Sequence, residues 1–172
     1  SKNKISFLNF KNYRKTNNLQ TLLFAKKELN SGFLCFFADL IFDENLVNKI
    51  LRIKKKIVLA VDTSKVLGGT MRIKKNLDKI SAIGNHISKK EGHGNFIGIA
   101  KFSKKGAILL KKYLLKEKKN NKDYYTIVFN KMVANGVSIN YYDCKNYFWK
   151  EIDTKKDFLE MKKVVKKKKF LF

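Results

Sequence analysis

Short apolar runs alternate with stretches of helical periodicity along this chain, and that alternation predicts its architecture. Leu19, Leu22, Leu23 and Leu29 recur at helical spacing, Asn17 or Asn18 stands where an N-cap belongs, and Ser31-Gly32 ends the run. "FLCFFADLIF" (33–42) is continuously apolar apart from one acid, the pattern of a strand buried on both faces. "DENLVNKILRIKK" then reads as a helix with acids at its start and bases at its end, and "IVLAVD" (57–62) as another buried strand. "TMRIKKNLDKISAIG" (70–84) alternates around a turn-like centre and predicts a hairpin. "NFIGIAKF" (95–102) is a strand with an interior glycine, Ser103 caps a helix beginning at Lys104, and "DYYTIVFNKMVANG" gives a further helix stopped by Gly136. "VSINYYD" and "NYFW" read as strands. The segment 154–169 reads as an amphipathic helix with Phe158, Met161 and Val165 on one face. Helices alternating with buried strands predict a single α/β layered domain over residues 1–172 with a largely parallel sheet.

Composition agrees that the chain folds: of its 172 residues 44% are hydrophobic and 14 are phenylalanine, too apolar for a basic tail. The net charge of +25 would attract polyanions. The positive charge is nearly all lysine, however, spread along the chain with Arg14, Arg52 and Arg72 as the only arginines. Nucleic-acid readers favour arginine for its bidentate fork, so the charge is also what AT-rich coding would produce. Cys35 and Cys144 lie far apart with no metal-ligand spacing, and no apolar run nears the roughly 18 residues of a membrane span; a cytoplasmic setting fits. The chain opens on Ser1, and its true start is expected upstream.

Two acids stand where chemistry is expected. Asp39 ends an apolar strand, and ligands of open α/β sheets sit at the carboxyl ends of strands. Asp153 follows "NYFWKEI", just ahead of the last helix. Carboxylates from two such ends suit Mg²⁺, which takes one or two of them and completes its shell with phosphate and water. A second reading gives Asp153 or Asp157 to the helix start as a capping-box acid, and Trp149, the chain's single tryptophan, to packing.

Taken in order, "NYRKTNNLQTLLFAKKEL", "FLCFFADLIFDENLVNKIL", "IVLAVD", "GNFIGIAKFSKKGAILLKKYL" and "NYFWKEIDTKKDFLEM" resemble the nucleotidyltransferases related to phosphocholine and 2-aminoethylphosphonate cytidylyltransferases, within the sugar-nucleotide nucleotidyltransferase superfamily. The resemblance implies a three-layer α/β/α Rossmann-like fold with a mostly parallel mixed sheet. It implies transfer of NMP from CTP or another NTP to a phosphate or phosphonate acceptor, such as phosphocholine, aminoethylphosphonate or a sugar phosphate. By the same resemblance Asp39 and Asp153 would hold a catalytic Mg²⁺. Glu151, two residues before Asp153 on an extended segment, would point to the same face and stand behind them. Thr16, Asn17 and Asn18 would lie on the nucleotide side, and Asn95, Gly98 and Lys101 on the acceptor side. The family carries a glutamate where this chain has Asn95. It also opens with a first strand and a glycine-rich loop that nothing in "SKNKISFLNFKNYRK" matches, so an N-terminally truncated copy of weak or no activity is expected. The rival is a noncatalytic, basic nucleic-acid-binding domain, with aromatics near lysines, as in "KDYYT" and "KNYFWK", stacking bases.

Overall fold

The computed structural model describes residues 5–168. The first three α-helices begin on a side-chain acceptor that the sequence supplies. Asn17 accepts from the Asn18 amide at α1 (Asn18–Phe24), Asp43 from the Asn45 amide at α2 (Glu44–Leu51), and Ser103 from the Gly106 amide at α3 (Lys104–Lys116). At the start of α4 (Thr126–Ala134) the acceptor comes from elsewhere: the Asn18 side-chain oxygen takes the Tyr125 amide at 2.8 Å. In α5 (Lys155–Lys168) Phe158 is exposed and Met161 buried, so the expected shared face of Phe158 and Met161 does not form. Residue 169, placed in this helix from sequence, lies outside the described residues.

The strands are β1 (Phe33–Phe36), β2 (Leu40–Phe42), β3 (Ile57–Asp62), β4 (Met71–Asn76), β5 (Lys79–Gly84), β6 (Gly94–Phe102), β7 (Asn140–Asp143) and β8 (Trp149–Glu151). Six form one sheet in the order β1-β6-β3-β7-β5-β4, with β4 also reaching β6, while β2 and β8 make a separate two-stranded ladder. The sheet is mixed. β1, β3, β4 and β7 run one way and β5 and β6 the other, so that β6, lying between β1 and β3, pairs antiparallel with both, and β3–β7 is the parallel pair. The apolar run 33–42 is two half-exposed strands rather than one buried one. It breaks at Phe37–Asp39 because β1 finds its partner in β6 whereas β2 finds its own in β8.

Side-chain alternation on the central strands builds three layers. Ile57, Leu59 and Val61 of β3 and Phe96, Ala100 and Phe102 of β6 face α1, α3 and α4, meeting Leu19, Leu110 and Phe129. Ala60, Ile97 and Ile99 face the other way, onto Leu46 and Ile50 of α2 and onto Cys144. Burial, and then the charges of Asp62 and Asp143, push the Cys144 thiol up to about 12, so it stays protonated as a small core residue. Gly98 sits at φ +84, and a Cβ there would strike the Phe37 ring. Its use is close packing of Phe37 against Phe96 and Tyr125.

Candidate active site

The carboxyl ends of the co-directed strands gather acids. Asp62 is the last residue of β3, Asp143 the last of β7, and Asp39 follows β1. Asp143 ties neighbouring loops together, accepting from the Thr63 hydroxyl at 2.5 Å and the Lys145 amide at 3.1 Å. Asp39 is placed by the β2–β8 ladder, in which Leu40 opposes Glu151 and the Ile152 amide donates to the Asp39 carbonyl at 2.8 Å. That bond sets Asp39 beside the segment carrying Glu151 and Asp153. All three line one cleft of about 470 Å³ together with Asn18, Thr21 and Thr70. Burial, and then the charges of Asp153 and Asp39, push the Glu151 carboxyl above its ordinary range.

The competing capping role of Asp153 falls to its neighbours. Thr154 accepts from the Asp157 amide at 3.2 Å while Asp157 takes both the Thr154 amide at 3.0 Å and its hydroxyl at 2.6 Å, a reciprocal capping box that leaves Asp153 out. Among the described residues neither Asp39 nor Asp153 is in a salt bridge or accepts a side-chain hydrogen bond. Two free hard-oxygen donors facing one cleft fit Mg²⁺, which needs only one or two protein carboxylates when phosphates supply the remainder. No group of three or more His, Cys, Asp or Glu spaced for a metal occurs among the described residues, so an all-protein cage is not what this site offers.

A second cleft, of about 450 Å³, adjoins the first along the same segment. Asp62, Ser64, Lys65, Tyr147 and Trp149 line it, and it shares Thr70, Glu151 and Asp153 with the first cleft. Asp62 is only 6% exposed. Its carboxylate takes the Trp149 indole N–H at 2.9 Å and the Ser64 amide at 2.8 Å. Burial opposes its ionisation, but these hydrogen bonds and the charge of Lys65 outweigh burial and hold the carboxyl below its usual range. Trp149 therefore does more than pack: it fixes a buried anion in the wall of a cleft.

Of the residues expected on the acceptor side, Asn95 lies beneath the second cleft, whereas Gly98 and Lys101 line neither cleft. Asn95 is fully buried; it accepts from the Leu67 amide at 2.9 Å and the Thr70 hydroxyl at 3.0 Å and donates to the Lys65 carbonyl at 2.6 Å. It shapes the second cleft by pinning the loop 63–70 rather than by touching what enters. Arg72 helps, holding the carbonyls of Leu67, Asn85 and Ile87. Gly98 faces Phe37, and Lys101 lies toward the far end of β6 with its ammonium on the Ile53 and Lys55 carbonyls. On the nucleotide side Thr16 bonds back to the Asn12 carbonyl and Asn17 caps α1 and reaches Lys122, so both are structural; Asn18 alone of the three lines the cleft. Asp62 and Thr70 were not expected, although Asp62 ends an apolar strand just as Asp39 does. Of the aromatics considered for base stacking, Tyr125 is buried, Tyr147 and Trp149 line the second cleft, and Tyr124 is exposed.

No family model and no curated protein matches the chain. Solved structures do. The inositol-1-phosphate CTP transferase from T. maritima aligns with a TM-score of 0.71 and 18% identity over 88% of this chain and 63% of that one. The CTP:phosphocholine cytidylyltransferase from Streptococcus pneumoniae gives 0.66 and 15% over 91% of this chain and 67% of that one, and a UDP-glucose pyrophosphorylase in complex with UDP-glucose gives 0.69 and 13% over 90% and 63%. These neighbours are nucleotidyltransferase enzymes, and the fold of this chain is theirs, as the sequence motifs led one to expect. The chain spans less than two thirds of the length of the first of them.

Proposed function

We propose that this chain carries the metal-binding and acceptor-binding part of a Mg²⁺-dependent nucleotidyltransferase. The observation that carries the reading is the meeting of two clefts on one segment: Asp39 lies on the first, Asp62 and Trp149 on the second, and Thr70, Glu151 and Asp153 on both. A two-substrate transfer needs this arrangement, with the nucleoside triphosphate in one cleft, the acceptor in the other, and the reacting phosphates at the shared wall. An acceptor phosphate or phosphonate oxygen would attack the α-phosphorus of CTP or another NTP, the α–β anhydride bond would break, and pyrophosphate would leave. Mg²⁺ held by Asp39 and Asp153 would neutralise phosphate charge there. The residues of the chain itself position the partners: Asn18 and Thr21 border the nucleotide cleft, and Asn95 and Arg72 hold the loop that borders the acceptor cleft.

The acceptor we infer carries an amine or quaternary ammonium as well as its phosphate or phosphonate. Asp62 supplies a fixed, buried negative charge, and Tyr147 and Trp149 supply aromatic surface on which a cation rests favourably. Lys65 and Lys150 line the same cleft and suit the phosphate end. Trp149 is the only tryptophan of the chain, so its fluorescence reports acceptor binding directly. Phosphocholine and 2-aminoethylphosphonate are expected to change that fluorescence saturably, and inositol 1-phosphate and glucose 1-phosphate to bind at least about tenfold more weakly. Asp62→Asn should erase the difference. Equal binding of all four ligands, or a preference that survives Asp62→Asn, would refute the amine reading.

A further inference from the structure

At the end of the sheet away from the acids, a groove of about 640 Å³ is lined by Lys54, Lys55, Lys56 and Lys79, with Leu109 and Val137 as apolar wall and Ser138 and Asn140 as polar lining. We propose that this groove binds an oligophosphate anion on a small molecule, at a site separate from the two clefts described above. Three observations converge on it. Among the described residues none of the four lysines is in a salt bridge, and the neighbouring acid, Asp78, is engaged by the Asn140 side chain at 3.1 Å. Four unpaired ammonium groups around one concavity repel one another, and a multiply charged anion relieves that repulsion.

The loop that presents three of them is also held rigidly. Lys101 Nζ donates to the Ile53 carbonyl at 2.5 Å and the Lys55 carbonyl at 3.4 Å, and the Ser103 amide donates to the Lys56 carbonyl at 2.8 Å. Gly106 of α3 lies so close to the Lys56 carbonyl that any Cβ would collide with it. The lysines of this groove thus start from a fixed backbone, which cuts the ordering cost of binding. The third observation is shape. A concave volume of this size is that of small-molecule sites, and apolar Leu109 and Val137 beside hydrogen-bonding Ser138 and Asn140 suit a ring attached to the phosphates. A nucleic-acid strand would call for an extended stripe with stacking aromatics, and no aromatic lines this groove.

The test titrates sodium pyrophosphate and sodium triphosphate, without divalent metal, into the ¹⁵N-labelled chain and follows the amides of Gly136, Ser138 and Asn140. The expected result is saturable binding at those amides that is unchanged in Asp39→Asn/Asp153→Asn. The quadruple variant Lys54→Gln/Lys55→Gln/Lys56→Gln/Lys79→Gln should weaken binding at least tenfold. The quadruple Lys→Arg variant should retain it, which also controls for folding. Removing four exposed lysines elsewhere, Lys26→Gln/Lys27→Gln/Lys112→Gln/Lys119→Gln, should change it less than twofold. An equal loss in both quadruple Gln variants means that net charge alone attracts the anion, and overturns the proposal. So does a single-stranded RNA that shifts the same amides at lower concentration than triphosphate, or the absence of saturation.

Discussion

The two ends of the sheet differ in sign but are held by the same strand. At the end where β3 and β7 terminate, Asp39, Asp62, Glu151 and Asp153 face two clefts; at the end where those strands begin, Lys54, Lys55, Lys56 and Lys79 face a third. Near the start of β6, Asn95 binds the loop 63–70 at the acidic end, and near its finish Lys101 binds the loop 53–56 at the basic end. A chain of net charge +25 thus sets these four acids and the four lysines of the groove at opposite ends of the sheet by strand polarity, and uses one buried strand to hold both loops. Local composition would not have revealed this, because the acids come from three separate segments.

Breaking either clamp should disturb its own end only. Asn95→Ala should have the largest effect, costing about 2–4 kcal/mol, since it truncates a fully buried side chain and leaves the partly buried Leu67 amide and Lys65 carbonyl without these partners. Urea unfolding measures the loss, and amide exchange should quicken at Leu67 and Thr70 while the amides of 53–56 keep their rates. Gly106→Ala should cost about 1–3 kcal/mol, because its methyl group forces the Lys56 carbonyl aside, and should disturb 53–56 instead. Lys101→Met should be milder, about 1 kcal/mol, by losing hydrogen bonds to the Ile53 and Lys55 carbonyls at a partly open site. If Lys101→Met quickened exchange at Leu67 as much as at Lys55, the two ends would be one cooperative unit and the comparison would fail.

The smallest effect is one of pH. Asp62 has its folded-state pKa below its ordinary 3.8, so the stability it contributes is fully present above that value and is lost as pH falls through the lower folded value. Asp62→Asn should therefore flatten the acid limb of the stability profile. Denaturation midpoints compared at pH 5 and pH 3 should differ less in the variant than in the wild type.

Much of the layered fold was legible because burial on both faces leaves an unbroken apolar signature, as in β3, and because Asn17, Asp43 and Ser103 announce their helices. Asp39 and Asp153 stood out by motif and position, and the structure brings both to one cleft. How Asn95 acts, by pinning a loop, had no local signal, because the role of a buried amide depends on which loop returns to it, here from 25 to 30 residues away in sequence for Thr70 and Lys65. Lys101 was misread although alternation held the answer: Ile97, Ile99 and Lys101 share the α2 side of β6, whereas Gly98 faces Phe37. The pairing of Asp62 with Trp149 spans 87 residues and has no local signal beyond an acid ending an apolar strand.

The central claim is that Asp39 and Asp153 hold a divalent cation between the two clefts. Mn²⁺ binding to the chain, followed by the loss of its free electron paramagnetic signal, tests that claim directly. The account predicts one saturable site whose affinity falls at least about tenfold in Asp39→Asn and in Asp153→Asn, while Asp157→Asn, which removes only the capping acid, leaves the site in place. Wild-type Mn²⁺ affinity in both Asp39→Asn and Asp153→Asn would contradict it.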